Sequence, residues 1–238
     1  MADTHATVTA HVWRIAPRHI PAALASAGLD PPRLRRLPGV RFVKLLGTSR
    51  DFSVRQTDPT RWMLIMSWSG PRPLGGVPPR ALPLTLRRYA TECWSAALVP
   101  LSSRGQWSRR DPFVVAAQAG AVQSAPPTGP VIALTRARLR APELIRFWRG
   151  VPPVALAAAS SAGLRAGFGV GEAPLGVQGT FSVWDDAEAL RNFAYRGVAH
   201  RRVVAQTRSR QWYAEELFAR FEVAASSGTI DGADPVAA

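Results

Sequence analysis

The chain has 238 residues, 47% of them hydrophobic and 19% charged, with a formal net charge of +14. That balance excludes a disordered chain and supplies ample material for a core in one large domain or two small ones. The single cysteine, Cys93, excludes an intrachain disulfide and any cysteine-rich zinc or iron–sulfur site, which fits a reducing, intracellular setting.

The opening stretch "MADTHATVTAHVWRIAP" lacks the uninterrupted apolar core of a signal peptide. No run approaches the roughly 20 apolar residues that cross a bilayer. The expectation is a cytoplasmic protein, at most peripheral at the inner face of the membrane. Within this stretch "TVTAHVWRIAP" reads as a strand leading into a helix. "PGVRFVKLLG" (Pro38 to Gly47) and "MLIMSWS" (Met63 to Ser69) alternate or run apolar in the manner of strands. A Pro/Gly-rich segment, Gly70 to Pro83, precedes "RRYATECWSAALVPLSSRG" (Arg87 to Gly105).

The second half repeats this pattern. "GPVIALTRARLRAP" matches the opening strand, and "AGLRAGFGVG" (Ala162 to Gly171) matches "PGVRFVKLLG". "GTFSVWD" sets Trp184 opposite Trp68, and "RQWYAEELFARFEVAASSG" (Arg210 to Gly228) sets Glu215 opposite Glu92 and "SSG" opposite "SSRG". Each half reads strand, helix, strand, strand, helix, strand, the ferredoxin-like order. The fold class expected is therefore α+β, with two tandem ferredoxin-like halves forming a dimeric-type α+β barrel. The halves span residues 1–110 and 130–228, joined by a linker at 111–129 and followed by a loosely held tail at 229–238.

Common catalytic motifs are absent: no Gly-x-Ser-x-Gly elbow, no His-Glu-x-x-His, no Walker loop, no Gly-x-Gly-x-x-Gly opening a helix. "GFGVG" (Gly167 to Gly171) alternates like a strand. "RAGFGV" has the basic, aromatic look of an RNA-recognition strand, but base stacking needs two or three exposed aromatics and Phe168 stands alone, so no nucleic-acid partner is expected. The arginines are spread along the chain, which fits a solvated surface and an attraction to anionic membranes.

Among the histidines, His5 and His19 sit in polar surroundings and His11 lies within the first strand. His200 differs. Wound at about 100° per residue, it shares a helix face with Val203, Val204 and Thr207, while Arg201, Arg202 and Arg208 fall elsewhere. Two readings stay open on that geometry, a core histidine or a ligand to metal or haem. Zinc needs three or four ligands and finds no neighbours here. Haem needs one protein ligand and an apolar surround, for which Phe193, Val203, Val204 and Phe168 are candidates.

The chain resembles the spheroidene monooxygenase family, haem enzymes that ketolate acyclic carotenoids. The resemblance is carried by "LPGVRFVKLLG", "RRYATECWSAALVPLSSRGQWS", "GPVIALTRARLRAPELIRFWRGVP", "FGVGEAPLGVQGTFSVW" and "AHRRVVAQTRSRQWYAEELFARF". It implies haem b held by His200 as the proximal iron ligand, and O2 with an external electron donor, a ferredoxin or reductase, or else peroxide. It also implies a hydrophobic carotenoid substrate, hydroxylated twice at one methylene to a gem-diol that loses water to give a ketone. A haem-dependent lyase or dehydratase acting on another apolar molecule, and a non-catalytic haem carrier, are the alternatives. Distal residues are not assigned.

Overall fold

A computed structural model describes residues 7–52, 56–71, 84–113, 129–139, 160–172, 179–196 and 213–237. In chain order it contains β1 (Val8–Ile15), α1 (Ile20–Leu34), β2 (Val40–Ser49), β3 (Thr57–Trp68), α2 (Leu84–Tyr89) and β4 (Ala90–Gly105). The second half contributes β5 (Val131–Leu139), β6 (Leu164–Gly171), β7 (Gly179–Trp184), the short helix α3 (Ala187–Arg191) and β8 (Tyr213–Gly228). The eight strands close an antiparallel barrel in the order β1-β3-β2-β6-β7-β5-β8-β4. Each half is thus a four-stranded sheet of ferredoxin-like order, and the two sheets join open face to open face. The segment expected to hold the second half's first helix, 140–159, lies outside the described residues, as does the Pro/Gly-rich stretch 72–83.

Strand alternation explains why both strand faces of the first half are apolar. On β1, Val8, Ala10 and Val12 enter the barrel core, whereas Trp13 and Ile15 enter a second core on the outside. That second core joins Trp62, Leu64, Met66 and Trp68 of β3 to Ala23 and Leu34 of α1 and Leu86 of α2. Burying both faces leaves little room for the polar-out pattern of a half-solvated sheet.

The barrel is solid. Phe42, Trp94, Trp107, Phe113, Phe168, Phe181 and Phe221 all pack in one interior cluster and are nearly or wholly buried. Phe113 meets Phe221 edge-on at 5.0 Å between centroids, and Trp94 meets Phe181 at 6.0 Å.

Three of the interior side chains do not come from strands. Trp107 and Phe113 belong to the loop that follows β4, and Ile230 to the segment that follows β8. These segments are copies of one device. Trp107 N–H donates to Arg110 O at 2.8 Å and Ile230 N–H to Ala233 O at 2.8 Å. Positive φ falls on Ser108 and Arg109 in one and on Asp231 and Gly232 in the other. Asp111 accepts from Phe113 N–H at 3.0 Å, and Asp234 from Val236 N–H at 3.0 Å. Each therefore corks one end of the barrel. Residues 111–113, expected in a linker, and 229–237, expected as a loose tail, are built into these corks.

The ends are opposite, since β4 and β8 run antiparallel with Trp94 beside Gly228 and Gly105 beside Leu217. At one mouth Arg14 meets Asp58 at 3.2 Å, Glu92 at 3.4 Å and also Asp231, while Arg61 meets Asp231 at 2.9 Å. At the other, Glu172 accepts from Lys44 at 2.6 Å, Arg136 at 2.9 Å and Trp107 Nε1 at 2.7 Å, and Arg136 also pairs with Glu215.

Candidate functional site

Among the described residues the barrel is filled and corked and α1 and α2 cover the first half's outer face, so the candidate site is sought on the outer face of the second half. Its residues are those that alternate with the interior ones. Ile132, Leu134, Phe168, Val170, Phe181 and Val183 point into the barrel. Ala133, Thr135 and Ala137 of β5, Gly167 and Gly169 of β6, and Thr180, Ser182 and Trp184 of β7 point out. Where the first half presents Trp13, Trp62, Leu64 and Met66, the second presents alanine, glycine, serine and threonine. The second half's outer face thus carries smaller side chains, with a lesser core of Val131, Ala133, Trp184 and Leu190 at one side.

The polar groups of this floor satisfy one another. Thr135 Oγ1 and Thr180 Oγ1 lie 2.7 Å apart, Ser182 Oγ donates to Ala133 O at 3.4 Å, and Trp184 Nε1 donates to Ser182 Oγ at 2.9 Å. What remains on β5, β6 and β7 is small and apolar, while β8 sets Glu216, Phe218 and Arg220 on the same face beside Ala137, Thr135 and Ala133. Aromatic side chains frame it. Phe193 stacks on Trp184 with centroids 5.1 Å apart, in a cluster with Leu190, Leu164 and Leu101. Phe52, from the first half, crosses to β6 and lies where a side chain at Gly167 would go. Phe218, which pairs with Thr135 across β5 and β8, is 48% exposed.

Phe193 is placed by α3. Asp186 caps that helix, accepting from Glu188 N–H at 2.7 Å and Ala189 N–H at 2.8 Å. The chain then widens into a π-helical turn, Asn192–Arg196, which carries Phe193 against Trp184. A surface cleft of about 650 Å³ lies along α3, lined by Ser160, Gly163, Asp185, Glu188, Asn192 and Phe193 among others.

Of the residues expected at the site, Phe193 is on this face. Phe168 is not: it points into the barrel, packed on Phe181 at 5.3 Å with the Arg61 guanidinium 4.7 Å over its ring. Phe168 and Phe193 therefore occupy opposite faces of the sheet and are not brought together. His200, Val203 and Val204 lie outside the described residues. Phe52 and Trp184 were not expected. The glycines at every second position of "GFGVG" were the available signal for the first, since they mark a face that something else must approach.

His11 sits on the outer face of the first half, 5% exposed, stacked on Trp13 and within 2.8 Å of Ser95 Oγ through Nδ1. Its Nε2 has no hydrogen-bond partner, and burial lowers its pKa to about 4, so the ring is neutral at physiological pH. His19 stacks on Tyr89 at 3.9 Å between centroids. Among the described residues no three His, Cys, Asp or Glu side chains gather as a metal site.

No helix among the described residues is long and apolar enough to cross a membrane. The barrel is similar to that of an aldoxime dehydratase solved in complex with butyraldoxime, with a TM-score of 0.51 at 10% identity over 93% of this chain and 81% of that one, a likeness of fold. No family model matches the chain. Among curated proteins, the spheroidene monooxygenase of Rhodobacter capsulatus is 35% identical over 151 residues, 63% of this chain and 61% of that protein, so the match spans less than two thirds of that relative. The spheroidene monooxygenase of Rubrivivax gelatinosus is 34% identical over 197 residues, covering 82% of this chain and 73% of the relative. On that identity and coverage, the chain belongs to the spheroidene monooxygenase family.

Proposed function

We propose that this protein is a haem-dependent monooxygenase that hydroxylates, and by repetition ketolates, a hydrophobic, acyclic carotenoid-like substrate. Family membership carries the reaction class. The small-residue floor of the second half supports the cofactor, because it is the apolar surface on which a ring can lie. When bound, haem b would supply oxygen activation, with electrons from a ferredoxin or reductase, or with peroxide as oxidant. His200 would hold the iron.

The chain's own part is positioning and exclusion of water. The Thr135–Thr180 and Ser182–Trp184 pairs keep hydroxyls from competing for the ligand. Trp184 and Phe193 form a fixed aromatic wall at one side, held by the Asp186 cap. The basic surface would bring the protein to anionic membranes, where such a substrate dissolves.

Purified from cells supplied with iron, the protein should show a Soret band and about one haem per chain. His200→Ala should remain folded, lose the band, and recover it with added imidazole. A colourless protein that also fails to take up hemin would overturn the cofactor reading. Turnover of an acyclic carotenoid to a ketone should require oxygen or peroxide; product formation without either would indicate the lyase chemistry instead.

A further inference from the structure

Among the positions at which the two corks differ, one has a chemical meaning. In the cork after β8, Asp231 stands in the left-handed turn and its carboxylate joins Arg14 to Arg61. In the cork after β4 the corresponding residue is Ser108, also at positive φ and also one residue after the inserted hydrophobic, Trp107. The arginines correspond as well. Arg14 lies across from Glu92 in the β1–β4 register, and Arg138 lies across from Glu215 in the β5–β8 register.

One mouth therefore sets Arg14 and Arg61 against Asp58, Glu92 and Asp231. The other sets Lys44, Arg109, Arg136 and Arg138 against Glu172 and Glu215 among the described residues that line it. Glu172 and Glu215 are already engaged by Lys44 and Arg136, and Glu215 also accepts the Arg109 backbone N–H at 2.7 Å. The exposed guanidiniums of Arg109 and Arg138 keep no acidic partner among the described residues. Between them is a pocket of about 400 Å³ lined by Ser108, Arg109, Arg136, Arg138, Glu172 and Glu215.

We infer that this pocket binds a small oxyanion, a carboxylate or phosphate, which supplies from solution the charge that Asp231 supplies covalently at the opposite mouth. Arg138 and Arg109 would hold its oxygens through charge-assisted hydrogen bonds, with the Ser108 hydroxyl at the position of the Asp231 carboxylate. The site is at the barrel end, formed by different residues from the floor beside Trp184, and the inference does not rest on haem.

The test uses the full chain as purified and follows thermal unfolding in acetate, inorganic phosphate and chloride at equal ionic strength. An oxyanion at about five times its Kd should raise Tm by about 2–4 °C over chloride. Whether acetate or phosphate gives the larger shift identifies the preferred class. Arg138→Gln, at an exposed position, should fold and abolish the difference between anions. Ser108→Asp should raise Tm in chloride and make it insensitive to oxyanion, because the carboxylate is then built in. Equal Tm in all three salts overturns the site. So does a full oxyanion response retained by Arg138→Gln or by Ser108→Asp.

Discussion

Glu92 and Glu215 do the same work at opposite ends of the barrel: each accepts a backbone N–H from the left-handed turn of a cork, Gly232 to Glu92 and Arg109 to Glu215, both at 2.7 Å. Each carboxylate also faces an arginine, Arg14 or Arg136. Burial works to raise both pKa values, but the backbone donors and the guanidiniums outweigh it and hold both below the ordinary glutamate range. Glu92→Ala and Glu215→Ala should each destabilise the protein by about 1–3 kcal/mol, the cost of leaving charged and backbone donors unpaired. Urea unfolding of the two variants checks this, and similar losses are expected from the shared geometry.

Glycine substitutions should separate by location. Gly105 and Gly228 have φ of 100° and 92°, and a Cβ on either would collide with a backbone carbonyl, of Glu216 or Cys93. Gly105→Ala and Gly228→Ala should each cost more than 1 kcal/mol and loosen the corks. Gly28, within α1 and with open space around it, is the contrast. Gly28→Ala should stabilise by about 0.5–1 kcal/mol. Thermal melts of the three variants give the comparison directly.

Stability should fall with acid in a window set by His11. Its pKa is lowered from 6.5 to about 4 by burial, so the unfolded chain binds a proton that the folded one refuses. The stabilisation is complete above pH 6.5 and is lost as pH falls towards 4, amounting to about 2–3 kcal/mol over that range. The lowered pKa values of Asp58, Glu92, Glu172 and Glu215 add a further loss as pH falls through the carboxylate range. Unfolding free energies of His11→Gln measured from pH 7 to pH 4.5 should show a flatter slope than those of the parent.

Filling the floor should block the ligand without unfolding the barrel. Ala137 points outward and is half-buried. Ala137→Trp should lower haem content per chain severalfold while Tm changes by only a few degrees, as expected of a change outside the core. Haem content by absorbance and Tm on the same preparation decide it. Unchanged haem content would place the cofactor elsewhere.

The tandem organisation was legible because alternation and the paired Trp68/Trp184 and Glu92/Glu215 survive in the sequence. The corks were not, although "GQWSRRDPF" and "GTIDGADPV" share their Gly and Asp-Pro spacing. Their proline, glycine and arginine content reads as linker, and only one hydrophobic near the start and one at the end of each reveal insertion into a core. Phe168 shows a different limit. Period-two alternation groups Phe168 with Ala166 and Val170, yet it does not say which face of a strand lies inside a closed barrel. In a closed barrel, either face of a strand can be apolar enough to be taken for the site.

The two seams that close the barrel are unequal. β4 and β8 are paired along their length from Trp94–Gly228 to Gly105–Leu217, with two register shifts, whereas β2 and β6 meet in register only at Gly47–Gly171 and Thr48–Val170. The molecule is thus bound along one margin like the leaves of a book. Across the narrow seam Phe52 reaches from the first half to the place a side chain at Gly167 would fill, so one ring spans a join that the backbone pairs at only two positions.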